Sequence, residues 1–401
     1  MEYFGKAQNT VLSLLGHNLF SAPLTVDPDV DWAEVLRESK MQAVLLVAFK
    51  NHKELPLDPN LRAELEKRLM LHTMSNVRCF QDHRYLHSIM ENGEAPYCVL
   101  KGAASAHYYP DPLLRAMGDV DFYVPPHALE KATELMLDAG FERVDNDHRY
   151  HRIFKKGKTR CEMHFEPIAL PEGKMSKLFW DYWNEICESA VLVKDELAEF
   201  RMPSPFLHGF VLLSHFQSHL LSEGVGLRHI CDFAVFANAF SDEEFAEIFE
   251  TGLKQVGMWK LSQILGLIAV EYMGMPYRAW MGEDRDTARE LLADILAGGN
   301  FGRKDRQRAY EGFFIAEDGT AEAKNNGFSQ AFRSLNRLIE NHWPVAIKCF
   351  LLYPVGWVFF PCRYMIRRLL GKRKVSIWKS YRESKKRKNL YQKLRLLKPE
   401  K

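Results

Sequence analysis

The sequence predicts an α+β fold in which a short strand-rich segment lies between two mainly helical regions. Residues 61–90 continue a helical apolar pattern without any Gly or Pro. Residues 97–166 contain short apolar or alternating runs separated by Gly, Pro, Asn and Asp, which is typical of strands and turns. Beyond residue 171 the helical pattern returns. We therefore divide the chain into residues 1–95 (helical), 96–170 (strand-rich core), 171–335 (helical) and 336–401 (an apolar segment and a basic tail).

The order of the elements follows from local sequence signals. In the N-terminal region a helical pattern opens at residues 31–36, and the pattern over 61–90 ends at the Asn-Gly-Glu-Ala-Pro sequence of residues 92–96. Gly140 takes the position expected after the end of a helix. The predicted core elements are, in order, a strand at 97–100, a helix at 103–109, a strand at 120–124, a helix at 127–139, a strand at 141–144, a turn at 145–147 and a hairpin at 150–166.

The last strand of that hairpin alternates in polarity. Successive side chains of a strand point to opposite faces, so one face of this strand is apolar and the other is polar. The two faces carry Cys161, Met163 and Phe165 on one side and Glu162, His164 and Glu166 on the other. A third catalytic carboxylate beside the preceding strand would require this arrangement.

Two carboxylates one residue apart mark the strand at 120–124. Asp119 and Asp121 lie on one face of an extended strand, and like charges held this close favour a cation between them. A short distance upstream, the small residues after Lys101 predict a turn at which backbone N–H groups can approach a phosphate. Mg²⁺ prefers carboxylate and phosphate oxygens. Together these features predict a site for a metal-bound nucleoside triphosphate.

These residues belong to a longer pattern. Its members are Lys101, Gly102, Tyr109, Arg115, Asp119, Asp121, Val124, Gly140, Phe141, Glu162 and His164, followed more weakly by Leu227, Arg228 and Asp232. The pattern resembles the uncharacterised nucleotidyltransferase family of the polymerase beta superfamily. The specific part of the resemblance covers residues 101–164, and the weaker part extends into the second helical region.

The resemblance implies a fold, an activity and a set of site residues. The implied fold is a small mixed β-sheet nucleotidyltransferase core with flanking, mainly helical N- and C-terminal regions. The implied activity is transfer of a nucleoside monophosphate from a nucleoside triphosphate to a hydroxyl group of an unknown acceptor (a sugar, a small molecule or a peptide), with Mg²⁺ or Mn²⁺ as cofactor. The implied catalytic and metal-binding residues are Asp119, Asp121 and Glu162, with Glu162 also acting as the base. The implied nucleotide-binding residues are Lys101, Gly102, Ser105 and Arg115.

The turn departs from the family pattern, which usually reads Gly-Gly or Gly-Ser. Here Ala103 follows Gly102, and Ser105 is the hydroxyl that would have to replace the missing one. Arg115 either binds the triphosphate or pairs with Asp119, and the lysine before the turn is either a phosphate ligand or solvated. The alternative function is therefore a nucleotide-binding or regulatory protein that has lost turnover, whether or not it also contacts a membrane.

Histidines and one ion pair complete the candidates. His164 shares a strand face with Glu162 and would orient a carboxylate or the acceptor, and the resemblance implies a role near the acceptor pocket for Arg228 and Asp232. His164 is otherwise a plain hydrogen-bonded histidine, and Arg228 and Asp232, one turn apart, otherwise form an ion pair along a helix. His215 and His219 have the i, i+4 spacing of a metal pair, but no H-E-x-x-H motif accompanies them, which favours helix packing or lining of the acceptor pocket over zinc.

Charge is distributed unevenly along the chain. Residues 363–401 carry 16 Lys and Arg against two Glu, whereas the rest carries 38 Lys and Arg against 50 Asp and Glu. A basic tail indicates either contact with anionic lipid or nucleic acid, or a solvated segment. Residues 345–362 are apolar but interrupted, so they form either buried core or a membrane-interface segment. An anionic membrane contact through residues 345–401 is one interpretation. A nucleic-acid partner is not expected, because the tail has few aromatic residues.

Composition limits the class of protein. An apolar content of 47% and a charged content of 26% are those of a globular protein. The seven cysteines are scattered and form no C-x-x-C pair, which predicts free thiols in a reducing compartment. No basic leader followed by an apolar run is evident at residues 1–15. We therefore expect a cytoplasmic protein, or one peripheral at the inner face of a membrane.

Overall fold

A five-stranded mixed sheet with helices on both faces forms the centre of the fold, which confirms the predicted α+β class. The structure is a computed structural model, and the residues that it describes are 4–144, 150–167, 170–171, 174–305, 308, 332, 335–336, 338–340, 342–343, 345–369, 377–396 and 398–400. The predicted turn at 145–147 and part of the basic tail lie outside the described residues. The four-part division of the chain stays a prediction.

The sheet has the strand order β1-β2-β5-β4-β3. Only the β2–β5 pair is parallel, and the other neighbouring pairs of this sheet are antiparallel. The strands are β1 (Cys98–Val99), β2 (Val120–Tyr123), β3 (Glu142–Arg143), β4 (His151–Lys156) and β5 (Thr159–His164). The predicted hairpin is confirmed, with Gly157 at a φ of 59° in its turn.

Most of the chain is helical. The α-helices up to residue 298 are α1 (Lys6–Phe20), α2 (Trp32–Met41), α3 (Leu45–Ala48), α4 (Pro59–Asn92), α5 (Ala103–Ala106), α6 (Leu129–Asp138), α7 (Lys174–Glu188), α8 (Pro205–Leu221), α9 (Leu227–Asn238), α10 (Asp242–Phe245), α11 (Thr251–Gln255), α12 (Trp259–Met273) and α13 (Arg285–Gly298). Later described helices are Val345–Lys348, Leu352–Leu369 and Ile377–Lys393. A π-helical turn, Ala246–Glu250, joins α10 to α11. The 3₁₀ turns are His52–Glu54, Pro112–Leu114, Pro126–Ala128, Ala279–Met281 and Asn300–Gly302.

The two N-terminal helices predicted from the sequence begin at capping aspartates. The Asp31 carboxylate accepts a hydrogen bond from the backbone N–H of Ala33 at the start of α2. The Asp58 carboxylate accepts from two backbone N–H groups of α4, where Pro59 occupies the first turn. A carboxylate at this position satisfies N–H groups that have no partner within the helix. Because both caps are formed by short-range contacts, these helices were predictable from local sequence.

The sheet separates two packed regions. On one face, Phe122 packs with residues of α4 and α6 in an apolar cluster. On the other face, Tyr123 contacts Trp183 of α7, with ring centroids 5.1 Å apart, and belongs to the larger cluster that includes α1, α8, α9 and α12. Side chains alternate along a strand. Asp121 therefore points to the same face as Tyr123, toward the large helical region.

The mainly helical region predicted at residues 171–335 also contains a hairpin that the sequence analysis did not indicate. Two strands, β6 (Val191–Lys194) and β7 (Glu199–Met202), form an antiparallel hairpin there. The Asp195 side chain accepts hydrogen bonds from the N–H groups of Leu197 and Ala198 and so fixes the turn. Phe200 and Met202 alternate into the cluster beside the main sheet. Long-range burial of this hairpin outweighs its weak local pattern.

The helix predicted at 103–109 ends early, at Ala106. All seven cysteines are free, as predicted. Among the described residues, no helix combines the length and the apolar character needed to cross a bilayer.

Candidate functional site

Parallel pairing of β2 with β5 brings the predicted carboxylates together. Asp121 lies directly opposite Glu162 in the register of the two strands. Asp121, Glu162 and His164 each offer one potential ligand atom, and these atoms lie within 4.8 Å of one another. Asp119 is one residue before the first position of β2. The structure therefore places all three predicted acidic residues at one edge of a shared sheet face.

Asp121 is buried between two cationic or hydrogen-bonding groups. The Lys101 Nζ atom lies 3.1 Å from one carboxylate oxygen of Asp121, and His164 Nε2 lies 3.2 Å from the other. Burial alone would raise the pKa of Asp121, but the Lys101 charge and the His164 hydrogen bond hold it well below its usual range. Asp121 is therefore ionised in the folded protein at neutral pH.

Glu162 and Asp119 share a further cation. Arg160 donates to Glu162 Oε1 at 2.6 Å, and its Nε lies 3.9 Å from Asp119 Oδ2. Burial, followed by repulsion from the Asp121 and Glu162 carboxylates, raises the pKa of Asp119 to about 6. Keeping Asp119 ionised therefore costs free energy, and a bound divalent cation would reduce this cost.

Asp119→Asn should stabilise the metal-free protein at pH 7.5. The folded-state pKa of about 6 exceeds the reference value of 3.8, so the folded state binds more protons and stability falls as pH rises through this window. The Asp119 side chain is 39% exposed. After allowance for screening by water, we expect a gain of about 1 kcal/mol in the free energy of unfolding.

Urea denaturation in EDTA at pH 7.5 and at pH 3.5 measures this effect. The gain should largely disappear at pH 3.5, because Asp119 is then protonated in the folded state and mostly protonated in the unfolded state. Asp138→Asn, on the exposed surface of α6, is the matched control and should change stability little at either pH. Equal stability of Asp119→Asn and the unmodified protein at pH 7.5 would contradict the electrostatic cost assigned to Asp119.

The turn after β1 is held by a histidine of α4. Gly102 has a φ of 62°, and a Cβ atom there would lie 2.7 Å from His83 Nε2, so glycine is required. His83 Nε2 accepts a hydrogen bond from the Ala103 N–H, and the Ala104 N–H donates to the carbonyl of Lys101. Both amide donors that follow Gly102 are therefore engaged within the protein.

Ser105 lies inside α5 and is 1% exposed. Its hydroxyl has no hydrogen-bond partner among the described residues, and it does not line the cavity described below. Its predicted contact with a nucleotide stays a prediction.

Arg115 and Asp232 form a buried bidentate ion pair. Arg115 Nε donates to Asp232 Oδ1 and its terminal nitrogen to Oδ2, both at 2.8 Å, and the Tyr109 hydroxyl donates to Oδ1 at 2.7 Å. The alternatives that Arg115 pairs with Asp119 and that Arg228 pairs with Asp232 are therefore wrong. The physical reason is tertiary packing: Arg115, which precedes β2, contacts the buried side of α9, where Asp232 lies.

A cavity of about 530 Å³ opens between the sheet edge and the helices. It brings together most of the predicted site residues with others that the sequence did not indicate. The predicted residues that line it are Lys101, Gly102, Arg115, Asp119, Asp121, Glu162, His215, His219, Arg228 and Asp232. The additional polar residues that line it are Lys40, His72, His229, Asn300 and Arg303. His164 contacts Asp121 from outside this lining.

His215 and His219 line the cavity, and the interpretation that they line an acceptor pocket stays a prediction. His215 Nε2 lies 2.9 Å from Lys101 Nζ and 2.9 Å from His219 Nε2. The ring of His229, from α9, is 5.6 Å from that of His215.

Sequence reasoning missed several residues of the site. Arg160 could have been found, because it is two residues from Glu162 and shares its strand face. His83, Lys40 and Arg303 carried no such signal, since they reach the site from elements distant in sequence.

Comparison with known proteins agrees with the resemblance predicted from the motifs. Residues 28–274 match the model of a family described as uncharacterised nucleotidyltransferase. A crystal structure of an antigenic nucleotidyltransferase-like protein from Paracoccidioides brasiliensis is 14% identical, with a TM-score of 0.30, and the match covers 49% of this chain and 92% of that one. No curated protein matches this chain.

Proposed function

The chain belongs to the uncharacterised nucleotidyltransferase family, and we propose that it transfers a nucleoside monophosphate from a nucleoside triphosphate to a hydroxyl acceptor in a metal-dependent reaction. The observation that supports this most directly is the pairing of Asp121 with Glu162 across parallel strands, beside Asp119 and at the wall of a cavity.

The acidic residues suit Mg²⁺ or Mn²⁺ in charge and in ligand type. Asp119, Asp121 and Glu162 would supply carboxylate oxygens, which are the ligands that these hard cations prefer. Burial, and then repulsion from the Asp121 and Glu162 carboxylates, raise the pKa of Asp119 despite the opposing charges of Lys101 and Arg160. A bound divalent cation would neutralise phosphate oxygens and orient the triphosphate.

The protein's own groups then position the reactants. We propose that Glu162 accepts the proton of the acceptor hydroxyl as its oxygen bonds to the α-phosphorus. The bond from that phosphorus to the bridging oxygen breaks, and pyrophosphate leaves. Lys101 and His164 hold the Asp121 carboxylate ionised and oriented throughout.

Incubation of the protein with each labelled nucleoside triphosphate and a metabolite extract tests this function. We expect a product heavier by one nucleoside monophosphate, detected by mass spectrometry, together with released pyrophosphate. Glu162→Gln should abolish the product. Nucleotide binding without any product would favour the alternative, a nucleotide-binding or regulatory protein that has lost turnover.

A contact with an anionic membrane is proposed as a second property, because the helix Leu352–Leu369 exposes an apolar stripe. Val355, Val358, Phe359 and Ile366 are 43–65% exposed at helical spacing, and Phe350 just before the helix is 77% exposed. An amphipathic helix of this kind inserts its apolar face between headgroups, and adjacent Lys and Arg residues attract anionic lipid. The basic residues from Arg363 onward supply that charge, except for Arg387 and Lys393, which pair with Asp294 and Glu290 of α13.

Flotation with vesicles of anionic or neutral lipid measures this contact. We expect the protein to float with the anionic vesicles, and Val358→Glu or Met365→Glu, both at exposed positions of the helix Leu352–Leu369, to reduce the floating fraction several-fold. Met74→Glu is the matched control, since Met74 on α4 is 63% exposed and Val358 is 65% exposed. Unchanged flotation of both test variants would exclude this helix as the anchor.

A further inference from the structure

Different secondary-structure elements contribute the paired and the unpaired charges that line the cavity. Each of Asp121, Glu162 and Asp232 is paired with a cation, namely Lys101, Arg160 and Arg115. By contrast, no carboxylate of the described residues lies within salt-bridge distance of Lys40, Arg228 or Arg303. Lys40 belongs to α2, Arg228 to the first turn of α9, and Arg303 follows the 3₁₀ turn Asn300–Gly302 after α13. The helical wall of the cavity therefore carries uncompensated positive charge.

The lowered pKa of His72 is consistent with this concentration of positive charge. Burial, and then the charges of Arg68, Arg303 and Lys40, lower the pKa of His72, which also lines the cavity. Arg303 donates to the carbonyl oxygen of Lys40 at 3.1 Å, so the two cationic residues are adjacent.

Two buried donors on this wall have no partner. Arg228 uses one terminal nitrogen for the Ala116 carbonyl, at 3.3 Å, but its buried Nε has no partner among the described residues. His229 is 6% exposed, and its Nδ1 accepts the N–H of Gly226. Its Nε2 therefore carries the proton of the neutral ring and is a second buried donor without a partner. Buried donors of this kind cost free energy until an acceptor reaches them.

The same chemistry disfavours a metal ion at the three histidines. The lone pair of His215 Nε2 faces the Lys101 ammonium, and His229 Nε2 holds a proton instead of a free lone pair. A cation would also be repelled by Lys101 and Arg228. The ligand that these groups fit is an anion with several acceptor oxygens.

The two backbone amides that follow Gly102 in the turn after β1 do not provide an alternative phosphate site. The N–H groups of Ala103 and Ala104 already donate to His83 and to the Lys101 carbonyl. The Ala103 and Ala104 amides are therefore not free to donate to a phosphate in the cavity.

We propose that Lys40, Arg228, His229 and Arg303 form a phosphate-binding subsite on the helical wall of the cavity, separate from the carboxylates of the sheet. The subsite deepens the proposed nucleotidyl transfer, on which its biological use rests. Its phosphate comes either from the end of the nucleoside triphosphate or from a phosphorylated acceptor, and both present the same oxygens to these donors.

Calorimetric titration of inorganic pyrophosphate into the full-length protein, in EDTA and at fixed ionic strength, tests the subsite without metal. We expect saturable binding to the unmodified protein. Lys40→Gln and Arg303→Gln should each weaken it about tenfold, since each removes a charge-assisted contact. Arg37→Gln is the matched control, because Arg37 lies on the same helix as Lys40, is 65% exposed and does not line the cavity.

The outcomes separate the subsite from the enzymatic activity. Asp119→Asn should lose nucleotidyl transfer but keep pyrophosphate binding. Pyrophosphate binding therefore tests the subsite even if the protein does not catalyse nucleotidyl transfer. Absence of saturable binding to the unmodified protein, or equal weakening by Arg37→Gln, would overturn the subsite.

A second titration identifies the source of the phosphate. The protein is saturated with a non-hydrolysable nucleoside triphosphate and Ca²⁺, and inorganic phosphate is then added. Loss of phosphate binding assigns the subsite to the triphosphate, whereas retained binding that Arg303→Gln weakens assigns it to the acceptor. Phosphate binding that Arg303→Gln leaves unchanged would overturn the assignment.

Discussion

Asp121→Asn is expected to reduce nucleotidyl transfer by about 10³-fold or more. The substitution keeps the size of the side chain and its contact with His164 but removes the buried charge at the centre of the carboxylate group. Stabilisation of transition-state charge by a metal is worth several kcal/mol, and each 1.36 kcal/mol is tenfold in rate. The measurement is the rate of pyrophosphate release, together with the affinity for Mn²⁺ followed by paramagnetic resonance.

Asp138→Asn again provides the control, because it removes an exposed carboxylate from the same core without touching the cavity. Its rate and Mn²⁺ affinity should match those of the unmodified protein. Lys101 loses its ionic partner in Asp121→Asn, so circular dichroism must show that the variant is folded. A folded Asp121→Asn protein with full activity would remove the carboxylate group from the reaction.

The acidic part of the site was predictable because its signals are local. The alternation of Glu162 and His164 with Cys161 and Met163 defines a polar strand face from the sequence alone. The sequence did not show that β5 lies parallel to β2, with Glu162 opposite Asp121. That pairing depends on the crossover through α6 and on packing of Phe122 against α4 and α6, which are long-range contacts.

The resemblance indicated Arg228, but the cationic wall that it forms with Lys40 and Arg303 could not be predicted, because it depends on long-range packing. Lys40, Arg228 and Arg303 are separated by most of the chain and meet only when α2, α9 and the turn after α13 pack together. No sequence signal distinguishes His83 from the other polar positions of α4. Its close approach to Gly102 is evident only in the folded structure. The β6–β7 hairpin was missed because its outer residues, such as Val191 and Leu192, are exposed and give no clean alternation.

The ion pair of Arg115 with Asp232 joins the strand-rich core to α9, and breaking it should produce the largest loss of stability. We expect Asp232→Asn to lower the free energy of unfolding by about 3–5 kcal/mol, because it leaves the Arg115 guanidinium buried with a neutral partner. The side chains of Arg115 and Asp232 are 4% and 5% exposed. Urea denaturation followed by tryptophan fluorescence measures the loss.

Arg201 and Glu91 offer a matched pair with similar geometry on the surface. Arg201 Nε donates to Glu91 Oε1 at 2.6 Å, but the two side chains are 37% and 40% exposed. Glu91→Gln should therefore cost about 1 kcal/mol or less. A similar cost for Asp232→Asn would mean that burial contributes little to the strength of the Arg115 pair.

Lowering the pH should weaken the buried ion pair of Arg115 with Asp232. Burial opposes ionisation of Asp232, but the charge and hydrogen bonds of Arg115 dominate and lower its pKa below 3.8. Its contribution to stability is thus present above the unfolded-state pKa and is lost as pH falls through the lower folded-state value. The difference in stability between Asp232→Asn and the unmodified protein should shrink in this acidic window.

Arg115→Met separates the two roles that the sequence left open for this residue. A structural role predicts a large loss of stability, which Asp232→Leu in the same chain partly restores by removing the second buried charge. A role as a triphosphate ligand predicts weaker nucleotide binding in the restored, folded double variant. Because Asp232 already takes the Nε and one terminal nitrogen of Arg115, we expect stability to recover and nucleotide affinity to fall less than about tenfold. A stable double variant that has lost nucleotide binding would instead make Arg115 a ligand of the triphosphate.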